Sequence, residues 1–238
     1  MNSITQVGID EMVEAMDNSS NDKSIGVVVL TGAGKKSFCA GGDINWEASG
    51  HNYRVYFASS DSIQHRMRLC RKPIIAAVNG YAIGWGNHVS YFCDFTIASE
   101  NAIFGQNGPR VGSPAHGYVA SYLTRVVGAK KAREIWMLCR RYTAKQALEM
   151  GLVNEVVPLD QLNAAVDRWC EEILSLSPTC IEILKASFDA EIDNLRGNWG
   201  SFLSFMAPMH LESEEAKEAQ NAFFEKRKPN FARFRGME

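Results

Sequence analysis

Two short apolar runs stand out along the chain, each closed by a glycine: "SIGVVVLTG" (Ser24–Gly32) and "KPIIAAVNG" (Lys72–Gly80). Their valines and isoleucines follow one another without alternation, the pattern of strands covered on both faces. Two weaker candidates follow, "DFTIAS" (Asp94–Ser99) and "LVNEVVP" (Leu152–Pro158). Helical spacing fills the intervals. It occurs in "SSDSIQHRMRLCR" before the second strand, "GNHVSYFC" after it, and later in "VASYLTRVVG" and "KKAREIWMLCRR". Strands alternating with helices predict a layered α/β fold with parallel strands. From Leu159 onward the pattern becomes almost wholly helical, in "LDQLNAAVDRWCEEILSLSP", "TCIEILKASFDAEI" and "SEEAKEAQNAFFEKRKPNF". Thr179 is placed to cap the second of these helices, and Pro229 to end the third.

The chain has 238 residues, enough for one sizeable core with a smaller appendage. A net charge of −2 gives no basic surface for nucleic acid or an acidic membrane. Six cysteines are widely spaced without a CxxC pair, and five adjoin apolar runs. That excludes a zinc ribbon or a disulfide scaffold and points to a reducing, cytoplasmic setting. No apolar run approaches the roughly 20 residues of a membrane span, and no signal peptide opens the chain.

The candidate chemistry lies where the two clearest strands end, in "LTGAGKKSFCAGGDI" (Leu30–Ile44) and "VNGYAIGWGNH" (Val78–His88). In parallel sheets ligands bind beyond the carboxyl ends of strands. Neither glycine spacing is that of a P-loop or a dinucleotide fingerprint. Two uses stay open: closing the strands tightly, or aiming two backbone N–H groups at one oxygen that gathers negative charge, helped by a helix starting near Gly84.

The segments "SFCAGGDI", "KPIIAAVNGYAIGWGNHVSYFCDFTIASENAIFGQ", "GLVNEVVP" and "AFFEKRKPNF" resemble the enoyl-CoA hydratase/isomerase (crotonase) superfamily over essentially the whole chain. "IFGQNGPRVGS" and "GAKKAREIWMLCRRYTAKQALEMGLVNEVVPLDQL" are similar to its naphthoate synthase and ketocyclohexanecarboxyl-CoA hydrolase branch. The resemblance implies an α/β spiral of ββα units over residues 1–158 that lacks the family's initial β-hairpin. It also implies a helical oligomerisation region over 159–238, forming a trimer or a dimer of trimers. The substrate would be an acyl-CoA, with coenzyme A as part of it and no tightly bound cofactor.

By motif position the resemblance puts the oxyanion-hole amides at Gly42 and Trp85, where Trp85 departs from the family's glycine. A negative φ would let Trp85 supply the N–H with its indole turned aside; a positive φ would strain it. His88 and Gly108 occupy the positions of the hydratases' two glutamates, which excludes hydration by that pair. Gly108 would leave space there, and Gln106 would hydrogen-bond bicarbonate or another small anion. Ser113 matches the branch's serine, Ala115 replaces an aspartate, and His210-Leu211 replace a tyrosine pair. His88 and His116 are proton-transfer candidates, and His65 reads as solvated. Tyr53 and Tyr56 lie in a segment that covers the substrate in this branch. Asp43 reads as a loop-fixing acceptor and Asp94 as a turn residue. For the CoA moiety the resemblance implies contacts at Ala40, Phe223 and Lys226, the lysine reaching a neighbour's ligand; Lys35 and Lys36 are further basic candidates.

Three functions follow as expectations: carbon–carbon bond making or breaking through a thioester enolate, hydration or isomerisation with His88 as the acid/base, or a non-catalytic CoA-binding protein.

Overall fold

A computed structural model describes residues 1–48, 63–113, 115, 117–190, 207 and 209–235. In chain order the elements that build the site are α1 (Gln6–Asn21), β1 (Val28–Thr31), β2 (Ser37–Cys39), α2 (Ile44–Ala48) and α3 (Ile63–Leu69). Then come β3 (Ile74–Val78), β4 (Tyr81–Ile83), α4 (Trp85–Phe92), β5 (Phe95–Ser99) and β6 (Ile103–Gly105). They are followed by α5 (Gly108–Val111), α6 (Gly117–Val127), α7 (Ala129–Leu138), β7 (Arg141–Thr143), α8 (Ala144–Glu149) and β8 (Glu155–Val157). The helices α9 (Leu162–Leu174), α10 (Pro178–Ala190) and α11 (Glu214–Phe224) complete the described chain.

Strands alternate between two sheets. One has the order β1-β3-β5-β8 and is parallel throughout; the other has the order β2-β4-β6-β7, antiparallel only at β6–β7. Each pair β1/β2, β3/β4 and β5/β6 thus contributes one strand to each sheet before a helix returns the chain. This is the crotonase-like spiral of ββα units. The three-residue strands of the second sheet were not distinguishable from turns in the sequence, because β2, β4 and β6 sit inside the glycine-rich stretches after each long strand.

Strand β3 is buried throughout, its five side chains Ile74 to Val78 at most 2% exposed. The expectation that β1 is covered on both faces fails: its residues alternate between half-buried and exposed, as befits the sheet edge. Met67, Ile74, Val78, Val89, Phe104 and Leu123 join one core between the layers. On the other face of the first sheet, Leu162, Ala165 and Val166 of α9 cover Ile75, Ala77 and Ile97.

Three local expectations are corrected. The cap of α10 is Ser177, whose Oγ accepts the Cys180 N–H at 3.4 Å; Pro178 then fits the first helical position, which has no need of an N–H. Helix α11 ends before Pro229, in a left-handed turn at Lys226 (φ 55°), with Arg227 N–H on Ala222 O and Lys226 N–H on Phe223 O. Asp94 does more than turn the chain: its Oδ2 accepts from Ile74 N–H at 2.8 Å and from the buried Lys185 Nζ at 2.7 Å, tying α10 to the sheet.

Candidate active site

The loops after β2 and β4 meet. A Cβ built on Gly41 would lie 4.0 Å from Trp85 N, and one on Gly84 would lie 3.8 Å from Gly41 Cα. Gly41 (φ 110°) and Gly84 (φ 56°) take the conformations that other residues avoid. Trp85 does not: it is the first residue of α4, outside the positive-φ region. Glycine is also required at Gly86, where a Cβ would fall 2.2 Å from Cys39 O. The positions flanking Trp85 therefore carry the demand for glycine, and position 85 does not. As the first N–H of a helix, that amide has no intrahelical acceptor.

Gly42 is held in the same readiness. The Ile4 N–H donates to Gly41 O at 3.0 Å and the Asp43 N–H to Ile4 O at 2.8 Å, a parallel bridge centred on Gly42. Because neighbouring residues of an extended chain face opposite ways, the Gly42 N–H itself points away from Ile4. Asp43 fixes the next turn: its Oδ1 accepts from the amides of Asn45 and Trp46, and its Oδ2 from Ser3 Oγ. These bonds hold its carboxyl below the usual carboxylate range.

Both loops open onto a cavity of about 390 Å³, whose wall includes Gly42, Trp85, His88, Gln106, Ser113 and Trp136. Its sole carboxylate among the described residues is the engaged Asp43, and no lysine or arginine lines it. His88, one turn into α4, is enclosed by protein on most sides but opens onto this space, with Trp136 at 5.1 Å between ring centres. Its Nε2 lies 3.1 Å from Gln106 Oε1. Desolvation lowers the imidazole from 6.5 to about 4, so it is neutral at pH 7. The Gln106 side chain is fully buried, and its Nε2 has no hydrogen-bond partner among the described residues. The indole Nε1 atoms of Trp85 and Trp136 are likewise buried and unpartnered.

The structure brings together Ala40, Gly42, Trp85, His88, Gln106, Gly108, Ser113 and Phe223 around this cavity. The expected space at Gly108 is not there. A Cβ would sit 2.4 Å from Ser113 O, because residues 108–113 turn back on themselves and the Ser113 N–H bonds Gly108 O at 3.0 Å. An anion beside Gln106 would therefore find no room on the Gly108 side, and among the described lining residues no lysine or arginine. His65 is half-buried rather than solvated. His116, Tyr53 and Tyr56 lie outside the described residues. His210 Nε2–H donates to Gly112 O at 3.1 Å, and so helps seat the C-terminal segment on the chain's own 108–113 loop. In consequence Phe223 and Phe224 border this chain's own cavity, and Lys226 lies in an adjoining groove with Asn45 and Arg227. Trp136 and the Met1–Ile4 segment were missed from the sequence, since neither carries a recognisable motif.

A family model for enoyl-CoA hydratase/isomerase matches residues 1–233. The chain belongs to the enoyl-CoA hydratase/isomerase family. Its members are crotonase-superfamily enzymes acting on CoA thioesters. Among solved structures the chain is similar to an enoyl-CoA hydratase/isomerase from Pseudoalteromonas atlantica T6c, at 28% identity and a TM-score of 0.83 over 97% of this chain and 91% of that one. It is similar to an enoyl-CoA hydratase from Mycobacterium avium subsp. paratuberculosis K-10, at 27% identity and a TM-score of 0.82 over 96% and 89%. A methylmalonyl-CoA decarboxylase shares 26% identity and a TM-score of 0.79 over 97% and 89%. No helix among the described residues is long and apolar enough to cross a membrane.

Proposed function

We propose that the protein stabilises the enolate of a CoA thioester between the Gly42 and Trp85 amides, and makes or breaks a carbon–carbon bond in a cyclic or aromatic acyl-CoA. The observation that supports this reading is the meeting of the Gly41–Gly42 and Gly84–Trp85 loops at one cavity, whose single carboxylate among the described residues is already engaged. Enolate stabilisation needs the donors; water addition by paired glutamates needs carboxylates, and His88 and Gly108 stand in their places. In the synthase direction the enolate carbon attacks a carbonyl. In the hydrolase direction water adds to a β-ketone, the Cα–Cβ bond breaks, and its electron pair passes into the thioester enolate. His88 and Ser113, with His116, are the groups available to move protons. Ala40, Phe223 and Lys226 would hold the CoA moiety. A bicarbonate ion would take a hydrogen bond from Gln106 Nε2, and we route no step through it. The exposed Ile183, Leu184 and Phe188 of α10 support assembly as a trimer or hexamer.

A second reading is favoured by the largely apolar wall, which has no lysine or arginine among the described residues, and by the similarity to methylmalonyl-CoA decarboxylase. A β-carboxylate placed there loses its hydration, its bond to Cα breaks, CO₂ leaves, and the resulting enolate takes a proton from water.

The test is Trp85→Pro. Proline fits the first position of a helix and removes the N–H together with the indole, so Trp85→Ala, which loses the indole and keeps the N–H, is the control that must retain most of the activity. With cyclic β-ketoacyl-CoA or succinylbenzoyl-CoA, kcat of Trp85→Pro should fall about 100- to 1000-fold while the helix content is retained. No turnover of these esters by the wild type, despite tight CoA binding, would sink the first reading; CO₂ release from a malonyl-type thioester would establish the second. Hydration of crotonyl-CoA that His88→Ala abolishes would defeat both.

A further inference from the structure

Gly42 can present its amide only if the loop around it is held, and the bonds that hold it come from the first four residues. Met1 O accepts the Ala40 N–H at 3.1 Å, while Ile4 engages Gly41 O and the Asp43 N–H. Every residue flanking Gly42 is therefore tied to this segment while Gly42 is left to face the cavity. Between Met1 and Ile4 stands Asn2, in the left-handed region at φ 52°. Its side-chain amide is surrounded by three carbonyls: Ser37 O at 2.8 Å, Ala33 O at 3.1 Å and Phe38 O at 3.3 Å. Three acceptors around one nitrogen leave no doubt which end of the side chain is the donor. From the opposite side, Asn79 Nδ2 donates to Gly32 O and Gly34 O, both at 2.7 Å. The loop leading to Gly42 is thus gripped by two asparagines.

We propose that Asn2 is a positioning residue for the oxyanion hole. Its Nδ2–H groups clamp the 33–38 backbone so that the Gly42 amide converges with that of Trp85. The left-handed backbone at Asn2 is the turn that lets one side chain reach the 33–38 carbonyls while Met1 and Ile4 bond either side of Gly42. Asparagine suits this post because it tolerates that conformation better than most residues and carries a donor. The inference rests on the proposed role of Gly42 and Trp85.

The experiment uses cinnamoyl-CoA, whose absorption moves to longer wavelength when its carbonyl is polarised, with wild type, Trp85→Pro, Asn2→Gly and Asn2→Asp. Asn2→Gly keeps the left-handed turn and removes the donor; Asn2→Asp keeps the shape and replaces the donor with acceptors. Both are expected to lose most of the wild-type red shift while the Kd for the ester changes less than about threefold. On a turned-over substrate kcat should fall roughly 10- to 100-fold at nearly constant KM. A full red shift in both Asn2 variants, with Trp85→Pro abolishing it, overturns the role of Asn2 and leaves the oxyanion hole standing. The role is equally overturned if the variants bind the ester more weakly in proportion to their lost activity, since that is the mark of a merely structural residue. No red shift in the wild type, or one that survives Trp85→Pro, overturns the hole and the clamp with it.

Discussion

Acidification should unfold this protein in part through one imidazole. His88 lies between Gln106 and Trp136, and the titratable group beside it is Tyr91 on its own helix, whose hydroxyl donates to Val119 O. Burial lowers the imidazole from 6.5 to about 4, only partly opposed by the hydrogen bond to Gln106. The unfolded chain takes up this proton near pH 6.5 and the folded chain only near pH 4. The contribution to stability is therefore complete above pH 6.5 and is lost as pH falls through that interval. At about 1.4 kcal/mol per pH unit, the loss by pH 4.5 amounts to roughly 2–3 kcal/mol, less where water in the cavity reaches the ring. Urea unfolding of wild type and His88→Gln at pH 7, 5.5 and 4.5 isolates it, because the other carboxylates and histidines cancel in the difference. Glutamine still donates to Gln106 Oε1 but does not titrate. The advantage of the wild type over the variant should shrink by that amount on acidification. Parallel pH dependences in the two proteins would refute the desolvated, neutral imidazole.

Three further outcomes are expected. Gly86→Ala drives a Cβ to 2.2 Å from Cys39 O, so the start of α4 must move off β2. A loss of about 2–3 kcal/mol in urea unfolding, with kcat falling as the two amides separate, is the expected result, and an unchanged unfolding midpoint would contradict it. Gly108→Glu restores a hydratase carboxylate in name only, because Ser113 O blocks its Cβ at 2.4 Å. The variant should melt several degrees lower and leave crotonyl-CoA absorbance unchanged; a gain of hydration would mean the 108–113 loop yields easily. Lys185→Met strips Asp94 Oδ2 of its 2.7 Å partner and leaves Lys72 O without its 2.9 Å donor. Because Asp94 stays partly open to water, about 2 kcal/mol of stability should be lost at pH 7, read from the urea midpoint.

Long strands, helices and the two glycine loops were legible in the residues, since burial on both faces of β3 and 3.6-residue spacing in the helices both leave periodic marks. That Gly42, Trp85 and His88 line one cavity was expected through family resemblance: the glycine turns read by themselves left strand closure and the aiming of two amides both open. What only the folded chain decides is which glycines are steric necessities. Gly86 is opposed by the Cys39 carbonyl of another loop and Gly41 and Gly84 take positive φ, whereas Trp85 lies outside the positive-φ region, so a side chain is tolerated there. The apparent vacancy at Gly108 follows the same logic in reverse, being filled by a carbonyl five residues on that no local pattern announces. Likewise the protonation of His88 and the grip of Asn2 on the 33–38 carbonyls depend on groups distant along the chain. Periodicity is a property of neighbours in sequence. Desolvation and steric exclusion are properties of neighbours in space, and those come into being with the tertiary fold.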